Sequence, residues 1–211
     1  MQTPSLLSLT LVAALTLQTP GAAQTASPEL LRRALDPNPT LRSYVASATL
    51  SVELHAAVPV RKTFQGTAYY RRPAHKIVFE NVPWPWTRFK ALASMASTYA
   101  EVTSDYAITP LVDDGNTSTY ALASRKRGGR VKSLTVTVGD RQALIVRAVW
   151  VYTGGGTLSF AQTYLGVGVC RVLSTSNISA RFPQYSVDGT LQLSNYRLDA
   201  RVPASVFAEE S

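Results

Sequence analysis

Few residues of this chain have the types and spacing that catalysis needs. The 211-residue sequence contains two histidines, His55 and His75, and one cysteine, Cys170, whose spacing does not fit a zinc site. No Gly-x-Ser-x-Gly sequence places a serine nucleophile on a sharp turn. Glu53 and Glu80 could face each other across strands as a carboxylate pair, although nothing in the sequence requires it. We therefore expect no enzymatic activity, no metal and no cofactor, and we expect Cys170 to be a small buried apolar residue.

The densest run of charge is basic, and it extends across a predicted hairpin turn at residues 125–132. The chain carries 21 Lys and Arg against 13 Asp and Glu, which gives a formal net charge of +8. One interpretation of the run is a solvated hairpin tip that discourages pairing of sheet edges. The other is a patch that docks to anionic lipid head groups or to an acidic partner. The three arginines and one lysine of this patch are Arg125, Lys126, Arg127 and Arg130.

The N-terminus has the pattern of a signal peptide. Residues 6–17 are almost wholly apolar, and Gly21, Ala22 and Ala23 are small residues of the kind that signal peptidase accepts. The apolar run is short for a membrane span, which needs about 20 residues. An uncleaved anchor stays open as an alternative, because residues 1–5 contain no Lys or Arg. We expect residues 1–23 to be removed, and no cysteine lies at residues 21–27 to take a lipid anchor.

The expected mature chain, residues 24–211, is long enough for one domain with its own core. We predict that this domain is monomeric, lies in the periplasm and is neither lipid-anchored nor bound to nucleic acid. A single cysteine excludes an intramolecular disulfide, so stability must come from the hydrophobic core.

Most of this domain has the residue pattern of β-strands. A short helix is predicted at residues 27–35, with Ser27 as a side-chain cap and Pro28 at the first helical position. Apolar and polar residues then alternate at residues 46–56, as in a half-buried strand. Because consecutive strands usually pair and a long sheet curls, we predict a meander of about ten strands that forms a curved, unclosed sheet. The further strands are predicted at residues 63–71, 76–82, 106–111, 118–124, 130–138, 143–152, 157–164, 165–173 and 188–199, with a final helical turn at 202–207.

One segment between the strands has helical spacing instead. Phe89, Leu92 and Met95 recur on one face of a helix predicted at residues 87–99. In one interpretation this helix is a mobile lid whose apolar side chains cover a cavity until a ligand displaces them. In the other it is an ordinary helix that packs on the core.

Four stretches of the chain resemble the LolA family of periplasmic lipoprotein carriers and related sorting proteins. They extend, together with the strand order, over nearly all of residues 24–211. The stretches are Phe64-Gln65-Gly66-Thr67-Ala68-Tyr69-Tyr70-Arg71-Arg72-Pro73, Asp113-Asp114-Gly115 with Thr119-Tyr120, Trp150-Val151-Tyr152-Thr153-Gly154-Gly155-Gly156, and Val202-Pro203-Ala204-Ser205-Val206-Phe207.

The resemblance implies a mainly β, α+β fold: an unclosed half-barrel of antiparallel strands with a helical lid, whose apolar concave face accepts the acyl chains of a lipoprotein. It also implies that Arg72 occupies the position of an arginine that hydrogen-bonds to the lid. On the sheet we expect ligand contacts from Leu50, Val52, Tyr70 and Trp150, and room for the ligand beside small residues such as Ala48 and Gly66.

Three classes of function follow from these observations. The first is a carrier that moves lipoproteins or another lipid toward the outer membrane, with membrane transport proteins as partners. The second is an interaction module on the same fold that senses the state of the cell envelope without transport. The third, a hydrolase, would need an acid-base cluster in the cavity that the sequence does not indicate.

Overall fold

Ten antiparallel strands form one sheet in the computed structural model, which describes residues 26–55, 57–82, 99–126 and 128–208. Two short α-helices accompany it, α1 (Pro28–Leu35) and α2 (Tyr99–Asp105), and a 3-10 helix, Ala204–Phe207, lies against β3. The strands are β1 (Ser43–His55), β2 (Val60–Arg71), β3 (Ala74–Phe79), β4 (Tyr106–Asp113), β5 (Thr117–Ser124), β6 (Val131–Gly139), β7 (Leu144–Tyr152), β8 (Thr157–Val167), β9 (Cys170–Phe182) and β10 (Tyr185–Leu198).

The strand order is β3-β2-β1-β10-β9-β8-β7-β6-β5-β4. Two meanders, β1 to β3 and β4 to β10, are therefore joined where the first strand pairs with the last. β3 and β4 follow each other in the chain but lie at opposite edges, so the sheet is not closed among the described residues. The predicted fold class, mainly β with few helices and an unclosed antiparallel sheet, is confirmed.

The sheet has one apolar and one polar face because successive side chains of a strand point to opposite sides. Leu50 of β1 lies opposite Phe64 of β2 and Leu191 of β10, and all three are buried. Their neighbours on the polar face are small hydroxyl residues, of which Ser51 lies opposite Thr63 and Thr190.

Two large clusters of buried side chains make up most of the apolar face, and a small third cluster consists of Leu41, Cys170 and Val172. The first, which we call the strand-built half, consists of Ala46, Ala48, Leu50, Val52, Phe64, Ala68, Ile77, Phe79, Leu158, Phe160, Ile178, Ala180, Val187, Leu191 and Leu193. The second, which we call the helix-covered half, consists of Ala26, Leu31, Ala34, Val102, Tyr120, Leu122, Leu134, Val136, Val138 and Ala148. Helices α1 and α2 supply members only to the helix-covered half.

Helix α1 is attached to the sheet at its N-terminal end. Pro28 and Glu29 lie in its first turn, as predicted, but Ser27 makes no side-chain capping hydrogen bond. The carbonyl of Ser27 instead accepts a hydrogen bond of 2.5 Å from the hydroxyl of Tyr120, which is fully buried. The prediction of a side-chain cap was therefore wrong, and a contact from β5 holds this end of the helix.

The predicted boundary between residues 157–164 and 165–173 was also wrong. β8 continues to Val167, and the turn lies at Gly168 and Val169, before β9 begins at Cys170. Gly168 has a φ of +57°, a conformation that suits glycine in a tight turn. A single glycine was a weak signal within a long alternating stretch, and β9 extends to Phe182, well beyond the predicted end.

Candidate functional site

The predicted ligand contacts Leu50 and Val52 lie in the middle of the strand-built half. Their exposed fractions are 4% and 5%, and both point to the same face as Phe64 and Leu191. Ala46, Ala48 and Ala68 belong to the same cluster, so β1 and β2 present short side chains here. This part of the face is a broad layer of buried apolar side chains.

Trp150 of β7 marks the border between the two halves. It is half-buried and packs against both clusters. Its ring meets that of Phe160 edge to face, with centroids 5.3 Å apart. Its partners across the sheet are Leu134 on β6 and Leu158 on β8, one from each half.

The small size of Gly66 suggested that it leaves space for a ligand, but the structure shows that it does not. A β-carbon on this residue would lie 2.3 Å from the carbonyl oxygen of Val78 and 2.8 Å from the ring of Phe79. The glycine therefore lets β3 pack closely against β2, and Phe79 fills the volume beside it.

Tyr70 lies at one end of the apolar face in a group that we call the tyrosine end, formed by Tyr44, Tyr70, Tyr196 and His75. The ring of Tyr44 stacks on that of Tyr70 at 5.3 Å and meets Tyr196 edge to face at 5.1 Å. Burial raises the pKa of both Tyr44 and Tyr196. The hydroxyl of Tyr196 donates a hydrogen bond of 2.6 Å to the carbonyl of Leu173.

His75 is the feature of this end that sequence reasoning missed. It is the second residue of β3, in keeping with a strand-end position, but its ring lies 6.3 Å from that of Tyr44. Its Nδ1 is buried and has no hydrogen-bond partner. Burial lowers the pKa of His75 to about 4, so the imidazole is neutral at pH 7. His55, in contrast, is exposed and lies 2.7 Å from Asp188.

Arg72 lies in the turn between β2 and β3 and binds the loop that follows α1. Its guanidinium donates hydrogen bonds to the carbonyls of Pro39, at 2.8 Å, and Asn38, at 3.3 Å. It also forms an ion pair with Asp36, the residue that caps the C-terminus of α1. Arg72 thus connects the β2–β3 edge of the sheet to the helix whose other end Tyr120 holds.

Some predicted site residues lie outside the described residues. Phe89, Leu92 and Met95 of the predicted lid helix belong to this group, as do Arg127 of the basic run and the predicted signal peptide.

The described part of the basic run forms the tip of the β5–β6 hairpin. Arg125 and Arg130 are exposed, whereas the ammonium of Lys126 lies 2.8 Å from the carboxylate of Asp105. That hydrogen bond raises the pKa of Lys126. Arg125 and Arg130 form no ion pair among the described residues, so their charge is available to a partner.

The possible carboxylate pair of Glu53 and Glu80 does not form. Glu53 lies opposite Arg61 on β2 and forms an ion pair with it at 2.9 Å. The backbone N–H of Glu80 bonds to the carbonyl of Gln65, further along the same strand. Within residues 26–55, 57–82, 99–126 and 128–208, no three His, Cys, Asp or Glu side chains are grouped as a metal site would require.

No helix in the described part of the chain has both the length and the apolar character needed to cross a membrane.

Comparison with known proteins gives structural matches alone. No protein-family model matches the sequence. No curated protein matches it either. An outer membrane lipoprotein-sorting protein domain from Vibrio parahaemolyticus superposes with a TM-score of 0.63 at 10% identity, over 85% of this chain and 94% of that one. A LolA superfamily protein from Nitrosomonas europaea gives 0.55 at 12% identity, over 89% and 99%.

A DUF1329 family protein from Desulfovibrio piger matches with a TM-score of 0.55 at 11% identity, over 85% of this chain and 95% of that one. All three matches extend over most of both chains, so they compare whole folds rather than a shared fragment. The chain has the LolA-like fold that its sequence motifs predicted.

Proposed function

We propose that this protein is a non-enzymatic carrier that binds the acyl chains of lipoproteins, or of another lipid, on its apolar face and moves them toward the outer membrane. The observation that carries the proposal is the one-sided apolar face that continues across an unclosed sheet. The LolA-like fold supports it. The proposed compartment is the periplasm, which the sequence of residues 1–23 favours.

The physical need for such a carrier is large. Hiding an acyl chain of about 16 carbons from water is worth roughly 12 kcal/mol, at about 0.8 kcal/mol per methylene. An apolar surface that accepts the chain lowers this cost without specific polar contacts, which suits lipids that differ in their head groups.

Within the apolar face, we place the acyl chain on the strand-built half. Helices α1 and α2 already pack on the other half, where Leu31 and Ala34 lie buried against β6 and β7. The alanines at positions 46, 48 and 68 limit how far the side chains of β1 and β2 extend from the sheet. Leu50 and Val52 would then contact the chain directly, with Trp150 at the border.

The proposal is tested by native mass spectrometry of the protein purified from its own cells, followed by removal of bound lipid and titration with palmitate. We expect a co-purified acyl lipid and saturable binding of palmitate. A protein that carries no lipid and binds no palmitate would contradict the proposal.

Transfer separates a carrier from an interaction module on the same fold. Protein loaded with a fluorescent triacylated lipopeptide is mixed with vesicles made of outer membrane lipids. A carrier releases the lipopeptide to the vesicles. A sensing module retains it, and that result would replace the carrier function with the second one.

We further propose that Arg72 is a latch that controls release of the ligand. Its bonds to Asp36, Asn38 and Pro39 hold the loop after α1 against the β2–β3 turn. Arg72→Leu is expected to accelerate release of the lipopeptide, and Asp36→Asn to do so more weakly. Arg42→Leu, an exposed arginine of the same loop, serves as the matched control. Unchanged uptake and release in Arg72→Leu would remove the latch from the mechanism.

The basic hairpin tip is proposed to guide the protein to anionic head groups. Arg125 and Arg130 are two exposed cations of this tip. The double variant Arg125→Gln/Arg130→Gln should lose cosedimentation with phosphatidylglycerol vesicles at low salt, because screening weakens such contacts. The control double variant Arg141→Gln/Arg201→Gln removes the same charge from exposed sites elsewhere and should still cosediment with the vesicles. Equal loss in both double variants would show that net charge alone matters.

A further inference from the structure

A groove of about 800 Å³ lies on the polar face of the sheet, on the opposite side from the proposed acyl site. Its lining residues come from six neighbouring strands, β2, β1, β10, β9, β8 and β7. Strands lie about 4.8 Å apart, so the groove extends roughly 24 Å across the sheet. Such a length suits an extended chain better than a compact small molecule.

The floor of the groove is built from short hydroxyl and amide side chains. These are Ser51, Thr63, Ser159, Asn177, Ser179 and Thr190. Several of them bond to one another and are thereby fixed in place: the hydroxyls of Ser51 and Thr63 lie 3.2 Å apart, and Thr190 donates to the amide oxygen of Asn177 at 3.1 Å. Because a hydroxyl both donates and accepts, this floor can still bond to a ligand that is itself rich in hydroxyls.

The charges around the groove sum to an excess of positive charge. Both of its carboxylates are neutralised within the protein, since Glu53 pairs with Arg61 at 2.9 Å and Asp188 pairs with Arg181 at 2.7 Å. Arg147 also lines the groove and has no ion-pair partner among the described residues. Lys62 lies opposite Val52, so its side chain points to the apolar face. The Arg147 cation is therefore available to an anionic ligand.

The groove does not suit an extended peptide. Most of the strands beneath it are paired on both sides, so an added strand would find free backbone groups only at residues 60–64 of β2, which pair with β1 alone among the described residues. The groove also offers no apolar pocket for peptide side chains. Phe160 and Ile178 contribute to its lining, but both belong to the buried cluster of the apolar face. A ligand that combines hydroxyls with negative charge uses all of the features present.

We propose that this groove binds an acidic oligosaccharide, with sugar hydroxyls on the Ser, Thr and Asn floor and an acid group at Arg147. The site is separate from the proposed lipid site and does not depend on it. It gives the protein a means to hold an anionic glycan on one face while the apolar face carries out its own function.

The experiment titrates the protein with hexagalacturonate by isothermal calorimetry at low salt, and with maltohexaose as the uncharged probe. We expect binding of hexagalacturonate and none of maltohexaose. Arg147→Gln should weaken binding by about fivefold, the upper range for exposed ionic contacts. Arg141→Gln and Lys132→Gln remove the same charge outside the groove and should change the affinity for hexagalacturonate by less than about twofold. No binding of hexagalacturonate, or equal losses in the groove and control variants, would overturn the proposal.

A second probe separates a glycan site from a general anion surface. The double variant Ser159→Ala/Thr190→Val removes two floor hydroxyls without a change in charge. We expect it to weaken hexagalacturonate binding and to leave binding of hexaglutamate unchanged. Equal affinity for the two probes, unaffected by the double variant, would overturn the glycan assignment. Palmitate binding should be the same in every groove variant. Failure of the glycan proposal is therefore distinguishable from failure of the carrier proposal.

Discussion

The two halves of the apolar face are assembled differently. In the helix-covered half, α1 places Leu31 and Ala34 on β6 and β7, and the Tyr120 hydroxyl fixes the start of that helix. In the strand-built half, all of the clustered residues lie on strands, and neither α1 nor α2 contributes to it. A face covered by its own fixed helix is part of the permanent core. The half without this helix is the one on which we propose that an exchangeable apolar ligand binds.

The largest expected effect comes from the helix-covered half. Leu31 is 1% exposed, so Leu31→Ala should lower the free energy of unfolding by about 3 kcal/mol through lost burial and the cavity left behind. Urea unfolding measures this free energy, and Leu35→Ala, at a half-buried position of the same helix, serves as a milder control. Because α1 lies outside the strand-built half, palmitate affinity of the folded variant should stay within about twofold of wild type, a difference of about 0.4 kcal/mol. A parallel loss of affinity would erase the distinction between the halves.

The tyrosine end should make stability depend on pH. The pKa of His75 is lowered to about 4 in the folded state, from 6.5, because the ring is buried. Below pH 6.5 the unfolded chain therefore takes up a proton that the folded protein does not, and stability falls as the pH approaches 4. Going from about pH 8 to about pH 5 should cost about 2 kcal/mol. Tyr44 and Tyr70, which pack beside the ring, stay uncharged in this range.

Urea unfolding of wild type and His75→Phe at both pH values isolates this contribution. The variant keeps an aromatic ring against Tyr44, and its stability should differ much less between the two pH values than that of wild type. If it retains the full dependence of wild type, another group is responsible.

A matched pair of substitutions compares the halves directly. Ala48→Leu adds bulk to the strand-built half and should weaken palmitate binding by about tenfold, or about 1.4 kcal/mol. Ala148→Leu makes the same change in the helix-covered half and should affect stability alone, by about 1 to 3 kcal/mol. Ala123→Leu, at an exposed position of β5, controls for the added side chain. Equal losses of affinity in the first two variants would place the ligand elsewhere or on both halves.

Much of the fold was readable from local pattern. Alternation of apolar and polar residues located nearly all the strands, and glycine-rich turns separated most of them. The pattern failed at Gly168, where a lone glycine divides two long strands that share one alternation. It could not reveal that β1 pairs with β10, because that contact joins residues far apart in the chain and leaves no local signal.

The candidate site was predictable to a smaller extent. Alternation correctly assigned Leu50 and Val52 to the apolar face, but Gly66 was misread as free space because the close approach of Phe79 depends on the register of β3. The burial of His75 likewise arises from rings of β1 and β2 that only the folded sheet brings together. The groove on the polar face went unnoticed, since scattered Ser and Thr residues look like ordinary solvent-facing positions until six strands are placed side by side.

The most direct test of the carrier proposal is photocrosslinking with a palmitate analogue that carries a diazirine in its acyl chain, followed by peptide mapping with mass spectrometry. The proposal predicts adducts on apolar-face residues of β1, β2 and β10, such as Leu50 and Leu191, that excess palmitate suppresses. Adducts confined to the polar face, or labelling that palmitate does not suppress, would contradict it.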